Sequence, residues 1–136
     1  MGRNALKGMV KPKEYFRYIY QIRDVSAASE TIFKRTYKGK QYFYNEAYGY
    51  CPEVELYLEM AGDGFSAYYS NTPEVIRNAD ETSNTNRYAY TWLIFSDRFK
   101  IIDKYRNHTW IKGTNLYSST KNFQIHKALL AYMRGT

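Results

Sequence analysis

Apolar and polar residues alternate most regularly between Glu53 and Met60. Val54, Leu56, Leu58 and Met60 fall on one side of an extended chain, and Glu53, Glu55, Tyr57 and Glu59 on the other. A period of two predicts a strand with one face in the core and one acidic face. Residues 61–64 (AGDG) predict a tight turn and Phe65–Ser70 a returning strand. Earlier in the chain, Phe16, Tyr18, Tyr20 and Ile22 alternate with Arg17, Gln21 and Arg23. Tyr15, Tyr18, Ile19 and Ile22 also fit one face of a helix. The aromatic and β-branched content of this segment favours a strand over 15–25, followed by a turn at Ser26–Ser29. Thr31–Tyr37 and Gln41–Tyr50 predict a hairpin closed by Lys38, Gly39 and Lys40, with the glycine supplying a positive φ.

Thr72, Pro73 and Glu74 have the pattern of a helix start, for a short helix ending near Ala79, and residues 80–87 a polar loop. Tyr88–Phe95, Phe99–Tyr105 and Thr109–Lys112 predict three more strands. The chain closes with a helix that Ser118 or Ser119 can cap. Its Ile125, Ala128, Leu129, Tyr132 and Met133 share one face, with Gly135 at the C-terminal stop. Together these elements predict a single α+β domain over 14–136. It holds an antiparallel-rich sheet of about six or seven strands, a C-terminal amphipathic helix and one short helix. Residues 1–13, with Gly2, Gly8, Pro12 and four bases but no periodicity, predict a flexible basic arm.

Charge changes this picture because it is sorted by position. Residues 1–40 hold ten Lys/Arg against three acids, a net of +7. Residues 41–81 hold Arg77 against eight acids, a net of −7. Residues 82–136 hold nine bases against Asp97 and Asp103, a net of +7. Faces of opposite sign suit binding to a polyanion or docking onto another copy of the chain. Sixteen tyrosines lift the aromatic content to 18%, which serves a half-buried core, an interface or a stacking surface for bases. Within 11–44, basic residues interleave with rings. Arg17, Lys34, Arg35, Lys38 and Lys40 are the candidates for phosphate or acidic-partner contact, and Tyr18, Tyr20, Tyr42 and Tyr44 for stacking. Glu53, Glu55, Glu59 and Asp63 are the candidates for an acidic self-association face.

Catalytic signatures are weak. Cys51 is alone, so no internal disulfide forms. His108, His126 and Cys51 are too far apart in sequence for a metal-ligand motif, and no phosphate-binding glycine loop occurs. No cofactor and no small-molecule substrate is expected. The apolar runs Trp92–Phe95 and Ala128–Met133 are far too short to span a bilayer, and no secretory leader is evident, so no membrane partner is expected. A metal-independent RNase remains open as an alternative, with His108 as acid, Arg98 or Arg106 clamping phosphate, and Glu53 or Glu55 as base. An inhibitor of a host protein is another. The leading expectation is a non-enzymatic protein of a virus, phage or mobile element. It would act inside the host cell or in the virion, bind nucleic acid or a partner through its basic aromatic N-terminal third, and self-assemble into an oligomer or larger array. The viral assignment is an analogy with small structural proteins that carry basic arms.

Overall fold

A computed structural model describes residues 6–23, 25, 31–70 and 92–134. Its elements in chain order are β1 (Gly8–Val10), α1 (Pro12–Tyr20), β2 (Thr36–Tyr37), β3 (Lys40–Gln41), α2 (Pro52–Gly62), β4 (Ala67–Tyr69), α3 (Trp92–Lys104) and α4 (Leu116–Met133). A single 3-10 turn, Glu46–Tyr48, precedes α2. β1 and β4 pair antiparallel with Met9 opposite Tyr68, and β2 and β3 pair with Tyr37 opposite Lys40. Helix α1 packs on α2, and α3 on α4. Among the described residues this is an α+β arrangement of four α-helices and two small two-stranded sheets. The expected sheet of six or seven strands does not form among them.

The reason lies chiefly in α2. Pro52 occupies the first helical turn, where its missing N–H costs nothing, and Glu53 and Glu55 complement the helix dipole. Leu, Met, Glu and Ala are strong helix formers. The helix is enclosed on nearly every side: Val54, Leu56, Tyr57, Leu58, Met60 and Ala61 are all buried, and so is Glu55. A helix buried all round needs no apolar stripe. Its residues are therefore free to alternate by coincidence, and the period of two misleads.

The same correction applies elsewhere. Pro12 starts α1, which buries Tyr15, Phe16, Ile19 and Tyr20, pairs one turn apart that only a helix places together. The two strands expected over 88–95 and 99–105 become the single helix α3 from Trp92 onward, with Phe95, Asp97, Ile101 and Ile102 buried. Thr109–Lys112 is a series of turns. Residues 67–69 pair with β1 and not with 53–60. Part of the expected basic arm is therefore ordered, in β1 and the start of α1, with Leu6 packed on the core. The expected turn at 26–29, the helix at 72–79, the loop at 80–87 and Gly135 lie outside the described residues.

The C-terminal helix forms as expected, but it is rotated. Its buried residues are Thr120, Gln124 and Ala131, whereas Ile125, Leu129, Tyr132 and Met133 are exposed. Gln124 explains the rotation. Its carbonyl accepts from Arg98 Nη1 at 3.0 Å, and its amide donates to the Ile22 carbonyl at 3.2 Å. Ile22 ends α1 with φ +50°, a left-handed cap that glycine usually fills, and its N–H donates to the Ile19 carbonyl. One amide thus fastens α4 both to α3 and to a strained helix end. Gln124→Leu leaves the Ile22 carbonyl and the Arg98 guanidinium short of a partner. It should cost about 1–3 kcal/mol, seen as a lower urea midpoint. An unchanged midpoint would contradict this role.

Candidate nucleic-acid interface

The best-formed polar and aromatic surface lies on the β2–β3 hairpin. Lys38 and Gly39 form its two-residue loop with φ of +51° and +79°, the left-handed pair that matches the twist of a tight hairpin. Lys40 lies on β3 and not in the turn. The exposed cations Lys34, Arg35 and Lys38 all sit over rings. Arg35 Cζ lies 4.6 Å from the Phe43 centroid, and Lys34 and Lys38 Nζ lie 5.9 and 5.1 Å from that of Tyr37. Phe33 and Tyr44 meet edge to face at 6.2 Å. Phe43 is 51% exposed and Tyr44 40%. Among the described residues, no carboxylate pairs with Lys34, Arg35 or Lys38.

The hairpin is clipped to the C-terminal end of α2. Phe65 packs edge to face against Tyr37 at 4.7 Å and against Tyr42 at 5.1 Å. Tyr42 Oη donates to Asp63 Oδ2 at 2.8 Å, and Lys40 Nζ lies 2.8 Å from Asp63 and 2.9 Å from Glu59. These contacts hold the hairpin's base, so Lys34, Arg35 and Lys38 project from a fixed support.

The remaining candidates have internal tasks. Arg17 Nε donates to the Trp110 carbonyl at 2.9 Å. Tyr20 is buried and donates to the Ile102 carbonyl, Tyr42 is buried against Asp63, and Tyr18 is half-buried with its ring edge-on to Tyr69. Of the acids, Glu55 is buried and accepts from Lys104 Nζ and Tyr105 Oη. Glu59 and Asp63 are held by Lys40, and Glu53 lies in the first turn of α2. Sequence reasoning alone misses Phe43. Its signal was the adjacent pair Tyr42–Phe43, because consecutive residues of an extended segment point to opposite sides. One of two neighbouring rings therefore had to face outward.

The acid–base candidates are engaged in other contacts. His108 stacks on Phe16 at 4.3 Å, and its Nδ1 accepts the Trp110 N–H. Burial lowers its pKa and favours the neutral ring. Arg98 is spent on Gln124, and Arg106 lies over the Tyr117 ring. His126 is exposed on α4. Burial pushes the Cys51 thiol up to about 12, with the nearby Asp97 charge adding to the shift, so the thiolate is suppressed. No group of three or more metal-ligating side chains occurs among the described residues. Comparisons of the chain with protein-family models, curated proteins and solved structures find no match.

Burial pushes the Asp63 carboxyl up, but hydrogen bonds from Lys40 and Tyr42 outweigh it and hold the pKa below the ordinary value. The clip therefore contributes fully above the unfolded aspartate pKa of about 3.9, and its contribution is lost as the pH falls through the lower folded value. The pair is partly solvated, which limits it to about 0.2–1 kcal/mol. The protection factor of the Tyr42 amide, which bonds to the Arg35 carbonyl, should fall by up to about fivefold over that acid range in the wild type. In Asp63→Asn it should already be lower by that factor at neutral pH. Equal protection in both proteins would show that the clip does not hold the hairpin.

Proposed function

We propose that the protein is a non-enzymatic binder of single-stranded nucleic acid that works through the β2–β3 hairpin. The observation that carries this reading is the coincidence of three exposed cations without acidic partners among the described residues and two exposed rings, on one clipped hairpin. Cations neutralise phosphates and release counterions, while rings stack on unpaired bases. Phe43 and Tyr44 suit splayed bases better than the closed stack of a duplex. The net charge of +7 adds long-range attraction for a polyanion. This reading relocates the contact set from the N-terminal third as a whole to Lys34, Arg35, Lys38, Phe43 and Tyr44.

An RNase is the weaker reading, since His108 is packed as a neutral ring on Phe16, Arg98 donates to Gln124 and Arg106 lies over the Tyr117 ring. Self-association through the acidic block is also weakened. Glu55, Glu59 and Asp63 already have cationic partners within the chain.

Fluorescence anisotropy with a labelled oligouridylate, across a salt series, tests the proposal. Replacing Lys34, Arg35 and Lys38 with Ala should reduce the slope of log K against log salt by about 2, at about 0.7 per lost phosphate contact. Phe43→Ala with Tyr44→Ala should weaken binding by about tenfold or more while leaving the slope unchanged. Wild-type affinity and slope in the triple variant would overturn the proposal.

A further inference from the structure

One ring serves two of the three outward cations. Tyr37 is half-buried on β2, and Phe65, just past the end of α2, packs against it edge to face at 4.7 Å. Lys38 Nζ lies 5.1 Å and Lys34 Nζ 5.9 Å from the Tyr37 centroid. The negative face of an aromatic ring attracts an ammonium group. Lys40 also lies over a ring, that of Tyr42 at 5.1 Å, but Glu59 and Asp63 hold it. Lys34 and Lys38 are exposed and have no carboxylate partner among the described residues, so the Tyr37 ring is what orders them.

This arrangement runs against two local costs. Like charges gathered on one ring repel each other. Lys38 also sits at φ +51°, in a loop position where Asn or Gly is favoured and a lysine is strained. Strain kept at one residue points to a task for its side chain. The ring attraction offsets part of both costs, and an anion seated beside the two ammonium groups removes the repulsion. A lysine side chain loses much rotamer freedom when it grips a phosphate, and one already held over a ring loses less. Arg35 rests on Phe43 instead, so it does not depend on Tyr37.

We propose that Tyr37 is a positioning residue for phosphate contact: its ring gathers Lys34 and Lys38 into one pre-ordered anion site, and Phe65 holds the ring in place. Tyr37 acts through the lysines and not by stacking on a base. The role rests on the nucleic-acid reading of the hairpin.

The test compares the full-length wild type, Tyr37→Phe, and the chain with pentafluorophenylalanine at position 37. The fluorinated ring keeps its shape but reverses the charge distribution that attracts a cation. In the free wild type, the ε-methylene protons of Lys34 and Lys38 should resonate upfield of ordinary lysine positions, as protons over a ring face do. Tyr37→Phe should keep that shift and the fluorinated ring should abolish it, with the Tyr42 amide, bonded to the Arg35 carbonyl, equally protected in all three. Labelled oligouridylate should bind Tyr37→Phe within about twofold of wild type and the fluorinated chain about fivefold or more weakly. The salt slope should not change, because no charge is lost. A merely structural role would give the two rings, alike in shape, the same affinity, and that result overturns the proposal. Ordinary lysine positions in a wild type that binds oligouridylate overturn it while leaving the nucleic-acid reading standing, and this readout needs no variant to fold. A wild type with upfield lysines that fails to bind oligouridylate overturns the nucleic-acid reading, and the phosphate role of Tyr37 with it.

Discussion

The burial of α2 is the constraint to which the rest of the structure answers. A helix enclosed on nearly every side carries its polar side chains into the interior, and each then needs a partner from elsewhere in the chain. Glu55 is 3% exposed, and its Oε1 accepts from Lys104 Nζ at 3.1 Å and Tyr105 Oη at 3.2 Å. That requirement fixes the end of α3 against α2. Tyr57, also buried, donates to Thr31 Oγ1 and so draws in the segment that leads to the hairpin. At the far end, Glu59 and Asp63 hold Lys40. The hairpin therefore owes its placement to the helix beneath it.

Tyrosine serves this core in a consistent way. Tyr20, Tyr42 and Tyr57 bury their rings and give their hydroxyls a defined acceptor. A small protein gains large buried area from such residues without orphaning the phenol oxygen. Tyr15, Tyr57 and Tyr69 meet ring to ring at 6.2–6.5 Å, which binds β4 to the α1–α2 pair. These tyrosines are structural, whereas Tyr44 beside the hairpin, Tyr68 on β4 and Tyr132 on α4 are exposed, and the exposed pair beside the hairpin includes a phenylalanine.

Some of this was legible in the sequence. The hairpin centred on Gly39 followed from turn chemistry, because only a positive φ closes so short a loop, and the C-terminal helix followed from its spacing. What failed was the choice between periods in segments buried on both sides. Residues 53–60 alternate, yet Pro52 and the run of Leu, Glu, Met and Ala favoured the helix that forms. Residues 15–20 satisfied both patterns, and Pro12 at a helix start was the better guide. The C-terminal stripe was legible as a stripe but not as an exterior one, since the residues that turn it outward are Gln124 and its distant partners Ile22 and Arg98. Such long-range polar contacts leave no local trace. Likewise, the pairing of Lys40 with Asp63 and of Glu55 with Lys104 removes charges that sequence alone presents as available.

The central claim is that the basic candidates of the N-terminal third divide: Arg17 and Lys40 are committed internally, whereas Lys34, Arg35 and Lys38 face outward on one hairpin. Nuclear magnetic resonance titration of the intact protein with a short oligouridylate tests this most directly. The account predicts dose-dependent shifts at the amides of Lys34, Arg35, Lys38, Phe43 and Tyr44, with Arg17, Tyr20 and Tyr57 unmoved. Shifts centred on the committed residues, or a spectrum that oligouridylate leaves unchanged, would contradict it.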